Sequence, residues 1–600
     1  MAVTAAGGGF CKADIIPFAG QVVRGRWFMM FASFIIMGSA GGTFLFGIYS
    51  KEIKHSLGYD QKTLNLLGSF KDLGISIGVV AGLLAEVTPP WFVLLVGAAL
   101  NFTGYFMLWL SVAGKVAKPP VWQMCLYICM GANSQNFVNT SVLVTCVKNF
   151  PENRGDMMGL LKGFTGLSAA VMTQVYLAIY GNDPKSLILF IGWLPSVLSI
   201  FFVYSIRLMK VVRSTNERRV FIKYLFVSTA LAVFIMVIII IQKQKPFSHV
   251  GYVASATVVC FLHLLPLGIT IQEELNIWNR KKEILNSTPT EVITTTETTR
   301  EVVDMKSSSL KLVDAEKTKQ PEISCFSNIF NPPERGEDYT IFQALLSIDM
   351  LLLFIATFSG MGTSFTAIDN LGQIGESLGY PDHAISTFVS LVSIWNYVGR
   401  VCAGFISEIL LRKWKIPRTL VMAFVLLLSC VGFLFIALPF PGALYIASVI
   451  LGFCLGAEAL FILTIISELF GLKHYSTLFN CGVLAIPIGS YVFNVKVAGM
   501  VYDNEAMKQT EGFGSNSAKG LTCIGTQCYK SSFLIMAVVA FIGTLASVIL
   551  AIRTRKFYQG DIYKKYREDA VANSDETEIV LSNVDNSKTK LDQTFYNNCR

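Results

Sequence analysis

Charge is what this sequence has least of. Only 15% of its 600 residues are Asp, Glu, Lys or Arg, while 53% are hydrophobic. A soluble protein of this size carries about a quarter charged residues, so composition alone assigns the chain to a membrane. A mean hydropathy of +0.54 agrees. The first twenty or so residues lack the order of charged start, apolar run and small-residue cleavage site, so no cleavable signal peptide is expected. There is no Walker loop, no Cys/His metal spacing and no nucleophile–base motif outside the apolar segments. Neither an enzyme, a cofactor, a metal nor a nucleic-acid partner is therefore expected. The thirteen cysteines are mostly scattered in apolar segments, where a buried thiol is usually a small hydrophobe.

What the chain does have is long apolar runs. A spanning helix needs about 20 predominantly apolar residues. On that criterion spans are expected at Trp27–Ser50, Leu64–Glu86, Trp91–Val112, Val121–Val147, Met157–Tyr180 and Ser186–Met209. Two more follow at Val220–Gln242 and Val250–Gln272. The remainder are Leu345–Asp369, Ala384–Leu410, Pro417–Leu438, Ala443–Leu469, Tyr475–Met500 and Ser531–Ile552. That makes about fourteen spans.

Basic residues concentrate in alternate loops: Arg24 and Arg26, then Lys148 and Arg154, then Lys210, Arg213, Arg218 and Arg219. Arg412, Lys413, Lys415 and Arg418 continue the series, followed by Arg553, Arg555 and Lys556. Lys51, Lys54, Lys115 and Lys118 are exceptions on the opposite side. The net charge of +9 matters less than this distribution. The positive-inside bias puts both termini in the cytosol. The expected layout is a cytosolic N-terminus (1–26), a six-helix bundle (27–209), two additional helices (220–272), a disordered cytosolic linker (273–344), a second six-helix bundle (345–552) and a cytosolic tail (553–600). The core of the linker, Asn286 to Arg300, is rich in hydroxyl residues and too poor in apolar ones to fold alone.

The chain repeats itself across that linker. Ser56-Leu-Gly-Tyr59 is matched by Ser377-Leu-Gly-Tyr380. Gly82-Leu-Leu-Ala-Glu86 is matched by Gly404-Phe-Ile-Ser-Glu408, and the loop opening at Phe150-Pro151 by one opening at Phe470-Gly471. Two six-helix halves related in this way are the architecture of major facilitator transporters, with a substrate site between the halves near the bilayer midplane. That superfamily carries a Gly-x-x-x-Asp motif followed by basic residues after the second helix of a half. Here Gly404, Glu408, Arg412 and Lys413 keep the pattern with glutamate for aspartate. Gly82 and Glu86 are followed instead by Val87-Thr-Pro-Pro-Trp91. The first copy is degenerate, and a gating salt bridge is expected to rest mainly on the second.

Gly25-Arg-Trp27, Phe150-Pro-Glu-Asn-Arg-Gly155, and Glu334-Arg-Gly-Glu-Asp-Tyr-Thr340 followed by Gln343-Ala-Leu345 resemble the plant nodulin-like branch of that superfamily. The resemblance covers nearly the whole chain outside linker and tail and implies a plant source. Asn396-Tyr-Val-Gly-Arg-Val-Cys-Ala-Gly404 resembles the eighth-helix pattern of oxalate/formate antiporters and monocarboxylate transporters. In those families an arginine at the place of Arg400 contacts the substrate carboxylate. Monocarboxylate transporters commonly have aspartate where this chain has Asn396. The oxalate-transporter resemblance also offers Lys496 as an anion contact, although its place near the non-cytosolic end suits a snorkelling side chain.

Arg400 stands inside an apolar segment, where a charge costs roughly 3 kcal/mol on insertion scales. Its guanidinium fork suits a carboxylate; the alternative is a structural arginine reaching Glu408. Lys71 and Asp72 point about 100° apart on a helix, so head-on pairing is not expected. Lys71 offers a substrate contact and Asp72 a proton carrier; a snorkelling lysine in a local ion pair is the other reading. Asn133, Asn136 and Thr140 share one helix face, and Gln135 and Asn139 another. Such amides line a substrate cavity or hold helices together. Thr363, Ser364, Thr366, Asp369 and Asn370 end another span. Glu458, well inside its span, is the second proton-carrier candidate. Pro487 and Gly489 could bend their helix. Cys523 and Cys528, on the oxidising side, permit a loop disulfide or stay free thiols. The three glycosylation sequons begin at Asn101, Asn139 and Asn286, all in spans or cytosol, so no N-glycosylation is expected.

These residues point to an all-α membrane protein of major facilitator fold, two pseudo-symmetric six-helix bundles with about two extra spans between them. The expected activity is secondary transport of a small organic anion or similar metabolite by a monomer in the bilayer, proton-coupled through Asp72 or Glu458. The rival class is a transport-inactive receptor or scaffold signalling through linker and tail. The membrane, plasma or vacuolar and endomembrane, is not encoded in these features.

Overall fold

The computed structural model describes residues 15–568 apart from 60, 182, 210–216, 245–246, 287–331 and 512–522. The core of the expected linker, the tail beyond 568, and Lys210 and Arg213 lie outside the described residues. Among the described residues, helices are the only regular structure.

A short helix α1 (Ile15–Arg24) leads into α2 (Arg26–Ser39). The span expected over Trp27–Ser50 is broken: a 3-10 turn occupies Gly42–Leu45 before α3 (Phe46–Leu57) resumes. Gly41 and Gly42 weaken the helix there, and a Cβ on Gly41 would stand 1.8 Å from Ser168 Oγ. The next span is split into α4 (Gln61–Ser76) and α5 (Val79–Val87). Then α6 (Pro90–Val112), α7 (Val121–Asn149), α8 (Arg154–Tyr180) and α9 (Pro184–Phe201) complete the first bundle. Pro90 and Pro184 each start a helix where a missing N–H costs nothing, and the Asp183 side chain caps α9.

Two extra helices follow, α10 (Glu217–Gln244) and α11 (His249–Asn286), packed on α8 and on each other. Here the expected boundaries move. Residues 273–286 continue α11 rather than opening a linker, and Lys223 on α10 pairs with Glu273 at 2.7 Å. Residues 332–344 are likewise ordered. Thr340 and Gln343 form a capping box on α12 (Ile341–Leu345), and the Tyr339 N–H donates to Phe470 O at 3.2 Å. Both ends of the linker found partners in the bundles that no local pattern specifies.

The second bundle runs through α13 (Ile348–Asp369), α14 (Leu371–Ser377), α15 (Asp382–Trp414), α16 (Arg418–Ala437) and α17 (Ala443–Leu469). The span expected over Tyr475–Met500 is divided into α18 (Tyr475–Val483), α19 (Ala485–Ser490), a π-helical stretch Tyr491–Gly499 and α20 (Met500–Glu511). Pro487, which has no N–H to give, lies at this break. The last helix is α21 (Gln527–Gln559). Cys523 and Cys528 are disulfide-bonded at its start.

Ten helices among the described residues are long and apolar enough to cross a membrane. The spans expected at Trp27–Ser50, Val121–Val147, Met157–Tyr180 and Ala384–Leu410 are not in that set, although each position is helical. The last two of these form the seam between the bundles. There α15 lies on α8, while α5 lies on α18. The approach is backbone to backbone. A Cβ on Gly404 would stand 2.5 Å from Gly155 O, and Gly159 and Gly163 of α8 face Gly404 and Tyr397. On its other side α15 meets α17, where a Cβ on Gly399 would fall 2.1 Å from Phe453 O. Small residues at a crossing allow this approach without a side-chain layer.

Gly404→Ala should therefore lower the melting temperature in detergent, since overpacking a fixed backbone contact costs about 1–3 kcal/mol. Gly268→Ala on α11, where nothing lies within 4 Å of the new methyl, is the matched control and should not lower it.

Candidate functional site between the two bundles

Away from the sealed face, the seam carries Arg400 from one half and Lys162 from the other. Arg400 of α15 donates from Nη1 to the Lys162 carbonyl oxygen on α8 at 2.8 Å. Its guanidinium reaches across because Gly166 leaves room, a Cβ there standing 3.6 Å from Nη1. The Arg400 Nε is buried and has no acceptor. Lys162 reaches Asn139 Oδ1 at 3.4 Å. Among the described residues no carboxylate pairs with either cation. Arg400 does not reach Glu408, which is engaged elsewhere. Lys162 was not among the residues singled out from sequence. One lysine inside an apolar span was the available signal.

The other polar residues of α7 fall into two groups. Asn133 Nδ2 donates to Gly74 O at 2.9 Å and Ile77 O at 2.8 Å, and Asn136 Nδ2 to Gly74 O at 3.0 Å. These are the carbonyls freed where α4 gives way to α5. In this structure the two amides hold a helix break, the second of the two roles that their pattern leaves open. Lipid offers no water to satisfy such carbonyls, so a neighbouring helix must. Gln135 accepts from Thr43 at 2.9 Å, beside the other broken span. Thr140 instead meets the second half. Asn480 Nδ2 of α18 donates to Thr140 Oγ1 at 3.0 Å.

Lys71 and Asp72 do pair, Nζ to Oδ1 at 2.9 Å, against the expectation from their helical angle. The four-carbon stem of lysine bends round, passing over the Phe46 ring at 5.3 Å. Glu458 is wholly buried, and neither carboxyl oxygen has a partner. It points at α13, where a Cβ on Gly360 would stand 2.4 Å from Oε2, and so lies inside the second bundle rather than on the seam. Thr363, Ser364 and Thr366 are buried in α13; Asn370 donates to Asn494 Oδ1 at 2.8 Å, and Asn494 reaches Asp369 at 3.4 Å. Lys496 is exposed on the π-helical stretch. A cavity of about 670 Å³ exists elsewhere, between Pro332–Tyr339 and the end of α21. Its Arg335 and Arg553 are both engaged by Asp349.

The face that carries both ends of the described chain is sealed by a charge network. Arg418, read from sequence as one more loop cation, is completely buried. Its Nε donates to Glu468 Oε1 at 2.7 Å, and its Nη2 to Glu408 Oε2. Arg412 holds the other Glu408 oxygen at 2.7 Å and reaches across the seam to Glu152 O at 2.6 Å and Asn153 Oδ1 at 2.9 Å. Arg154 returns the contact, Nη1 to Ser467 O at 2.6 Å. Lys413 stays exposed. The segment after α21 folds back onto this face. Tyr563 Oη lies 3.3 Å from both Glu408 and Glu468, and Tyr558 donates to Glu468 at 2.9 Å. The Arg154 guanidinium sits 4.5 Å from the Tyr566 ring centroid.

The degenerate first copy also seals. Glu86 accepts from Ser476, from Thr477 Oγ1 at 3.1 Å and from the Thr477 N–H at 3.4 Å, and lies 2.9 Å from His474 Nδ1. It caps the N-terminus of α18 from the opposite half, with Gly82 packed on Ser476 O. A gating salt bridge is expected mainly at the second copy; in this structure the first copy also crosses the seam, with donors from another helix in place of its missing basic residues.

Removing Arg418 takes a buried cationic partner from two buried carboxylates at once. Arg418→Leu should cost about 3–5 kcal/mol, and Tyr563→Phe, which removes one neutral donor, about 1 kcal/mol. Thermal melting of the purified protein in detergent should rank wild type above Tyr563→Phe and both above Arg418→Leu.

Comparison with known proteins adds the lineage. A Nodulin-like domain model matches residues 26–271, and an NFD4 C-terminal domain model matches 337–560. The chain is 24% identical to Protein NUCLEAR FUSION DEFECTIVE 4 of Arabidopsis thaliana, over 89% of each chain. It is 22% identical to the Probable transporter MCH1 of Wickerhamomyces anomalus, over 78% of this chain and 77% of that one. Among solved structures, a bacterial homologue of the iron transporter ferroportin in an outward-facing state aligns with a TM-score of 0.51 at 8% identity, covering 88% of this chain and 99% of that one. That likeness concerns the fold alone. Both domain models in order, one on each side of the linker, agree with the two-bundle architecture: the chain carries a Nodulin-like domain followed by an NFD4 C-terminal domain, on a major facilitator fold.

Proposed function

We propose that this protein is a secondary transporter that carries a small organic anion by alternating access, with Arg400 as an anion contact. The observation that carries the reading is a mostly buried guanidinium on the seam whose Nε has no acceptor and which no carboxylate neutralises. A buried charge of that kind is costly unless something pairs with it, and at membrane depth it marks a substrate path by default. The two-bundle fold supports the reading, and a relative bears the name probable transporter.

Positive-inside bias assigns the sealed face to the cytosol, so in this conformation the cytosolic side is closed. Release into the cytosol then requires the Glu86, Arg412 and Arg154 contacts to part together, because each crosses the seam. Arg418 with Glu408 and Glu468 lies within one half and travels as a unit. For coupling, Glu458 is the better carrier of a proton than Asp72. Its oxygens have no partner, whereas Asp72 already pairs with Lys71.

Two measurements test this. In proteoliposomes Arg400→Lys should cut carboxylate uptake at least about tenfold while leaving the melting temperature near wild type, because a bidentate site does not accept a point charge. Uptake at the wild-type rate would sink the assignment. Glu458→Gln should abolish acceleration by an imposed proton gradient yet keep substrate exchange at zero gradient; retained acceleration would remove Glu458 from the coupling path.

A further inference from the structure

We propose that the basic cavity between residues 332–349 and the end of α21 binds the phosphate headgroup of an anionic phospholipid. The cavity lies away from the seam, and the inference does not depend on what passes between the bundles.

The cavity measures about 670 Å³ and is lined by the cations Arg335, Arg553 and Lys556. Its size falls within the about 300–1,000 Å³ of ordinary small-molecule sites. Its walls are fixed. The Gly336 N–H donates to Leu469 O at 2.9 Å, and a Cβ on Gly336 would stand 2.8 Å from the Phe557 ring of α21. Asp349, buried at the start of α13, accepts from Arg335 Nε at 2.7 Å and from Arg553 Nε at 2.8 Å. Tying the segment to α21 accounts for those two contacts and for nothing else in the cavity. The terminal guanidinium nitrogens of both arginines have no acceptor among the described residues, and Lys556 pairs with no carboxylate there. With Glu334, the lining holds two carboxylates against three cations. Ser347, Ile348 and Asp349 also line it, so the positive end of the 22-residue helix α13 adds to the field. Two guanidinium forks, an ammonium and a helix start are the donors that suit a phosphate.

The apolar part of the lining selects the source of that phosphate. Leu346 and Ile348 belong to the wall, yet they are 66% and 57% exposed. On α21 the exposed Ile549 and Ile552 give way to Arg553, Arg555 and Lys556, so the hydrocarbon boundary falls at the cavity. A soluble anion would engage the cations and leave this apolar surface uncovered. A phospholipid sets its headgroup among the cations and lays its chains along Ile348, Leu351 and Ile552, all of them exposed. Positive-inside bias puts this face in the cytosol, whose leaflet carries the anionic lipids.

The test titrates the full-length protein in non-ionic detergent and counts bound ligand by native mass spectrometry. The ligands are dioctanoyl phosphatidic acid, phosphatidylserine, phosphatidylglycerol and phosphatidylcholine, with glycerophosphate as the headgroup without chains. At least one anionic lipid should bind about fivefold or more tighter than phosphatidylcholine, a difference of about 1 kcal/mol. Lys556→Gln should weaken that lipid about fivefold, and Lys556→Arg should keep it. Arg555→Gln removes an exposed cation of the same helix that does not line the cavity, and should change affinity less than about twofold. Phosphatidylcholine binding as tightly as every anionic lipid overturns the proposal. So does an equal loss in Arg555→Gln and Lys556→Gln, the mark of a diffuse basic surface. Glycerophosphate binding as tightly as the lipids would make the ligand a soluble phosphate and overturn the lipid assignment. The wild-type ranking decides the matter even if a variant fails to fold.

Discussion

The position of α15 constrains the rest of this structure. It is held on two sides by bare backbone, with Gly155, Gly159 and Gly163 of α8 on one face and the Gly399–Phe453 and Gly456–Asn396 crossings with α17 on the other. A helix set this closely between two neighbours has little room for side chains at its crossings, so its long residues emerge only where the neighbours fall away. Arg400 emerges beside Gly166 and Glu408 emerges at the sealed face. One helix thus carries both the candidate ligand contact and the gate. Because the contact with α8 is backbone on backbone, displacement of the halves is felt directly at Arg400. Packed interfaces of this kind shift between discrete arrangements more readily than they stretch.

The two copies of the repeat show how one motif diverges when its neighbours change. Glu408 kept its basic followers and became the centre of a network inside its own half, completed by Arg418 and by Tyr563 from the segment after the last helix. Glu86 lost them to Val87-Thr-Pro-Pro-Trp91 and found its donors on α18 of the other half. A carboxylate withdrawn from water is stabilised by a donor, and for Glu86 that donor is decided by what lies across the seam. The first copy became the more direct crossing contact of the two.

The broken helices account for much of the remaining polarity. Breaks in the first and second spans expose carbonyls that would be intolerable toward lipid, and α7 supplies Asn133 and Asn136 to one of them and Gln135 beside the other. This is why an apolar segment carries so many amides. From sequence, an amide that repairs a break and an amide that binds cargo look alike, since both are polar residues at helical spacing. Only the partner separates them. Asn139, whose oxygen meets Lys162, stands with the seam, and Asn133 stands with the repair.

By itself the sequence determined the membrane class, most of the span positions, the two-fold repeat and the family, because apolar length and recurrent motifs are local properties that survive without coordinates. It also singled out Arg400, since one cation in an apolar run is conspicuous in any context. The helix breaks of the first bundle were not legible, unlike the one near Pro487, nor was the extent of the linker, whose two ends are ordered by partners distant in the chain. Burial of individual charges was decided only by tertiary structure. Arg418 and Arg154 follow loops and read as surface cations, yet both are enclosed because carboxylates, carbonyls and rings from other helices surround them. Lys71 and Asp72 pair although ideal helical geometry argues against it, because a lysine stem is flexible and a phenyl ring lies beneath it. Lys162 gained its meaning last. A lysine in a span has no evident role until the opposite bundle brings an arginine to its carbonyl, and that pairing is a long-range fact that no local pattern encodes.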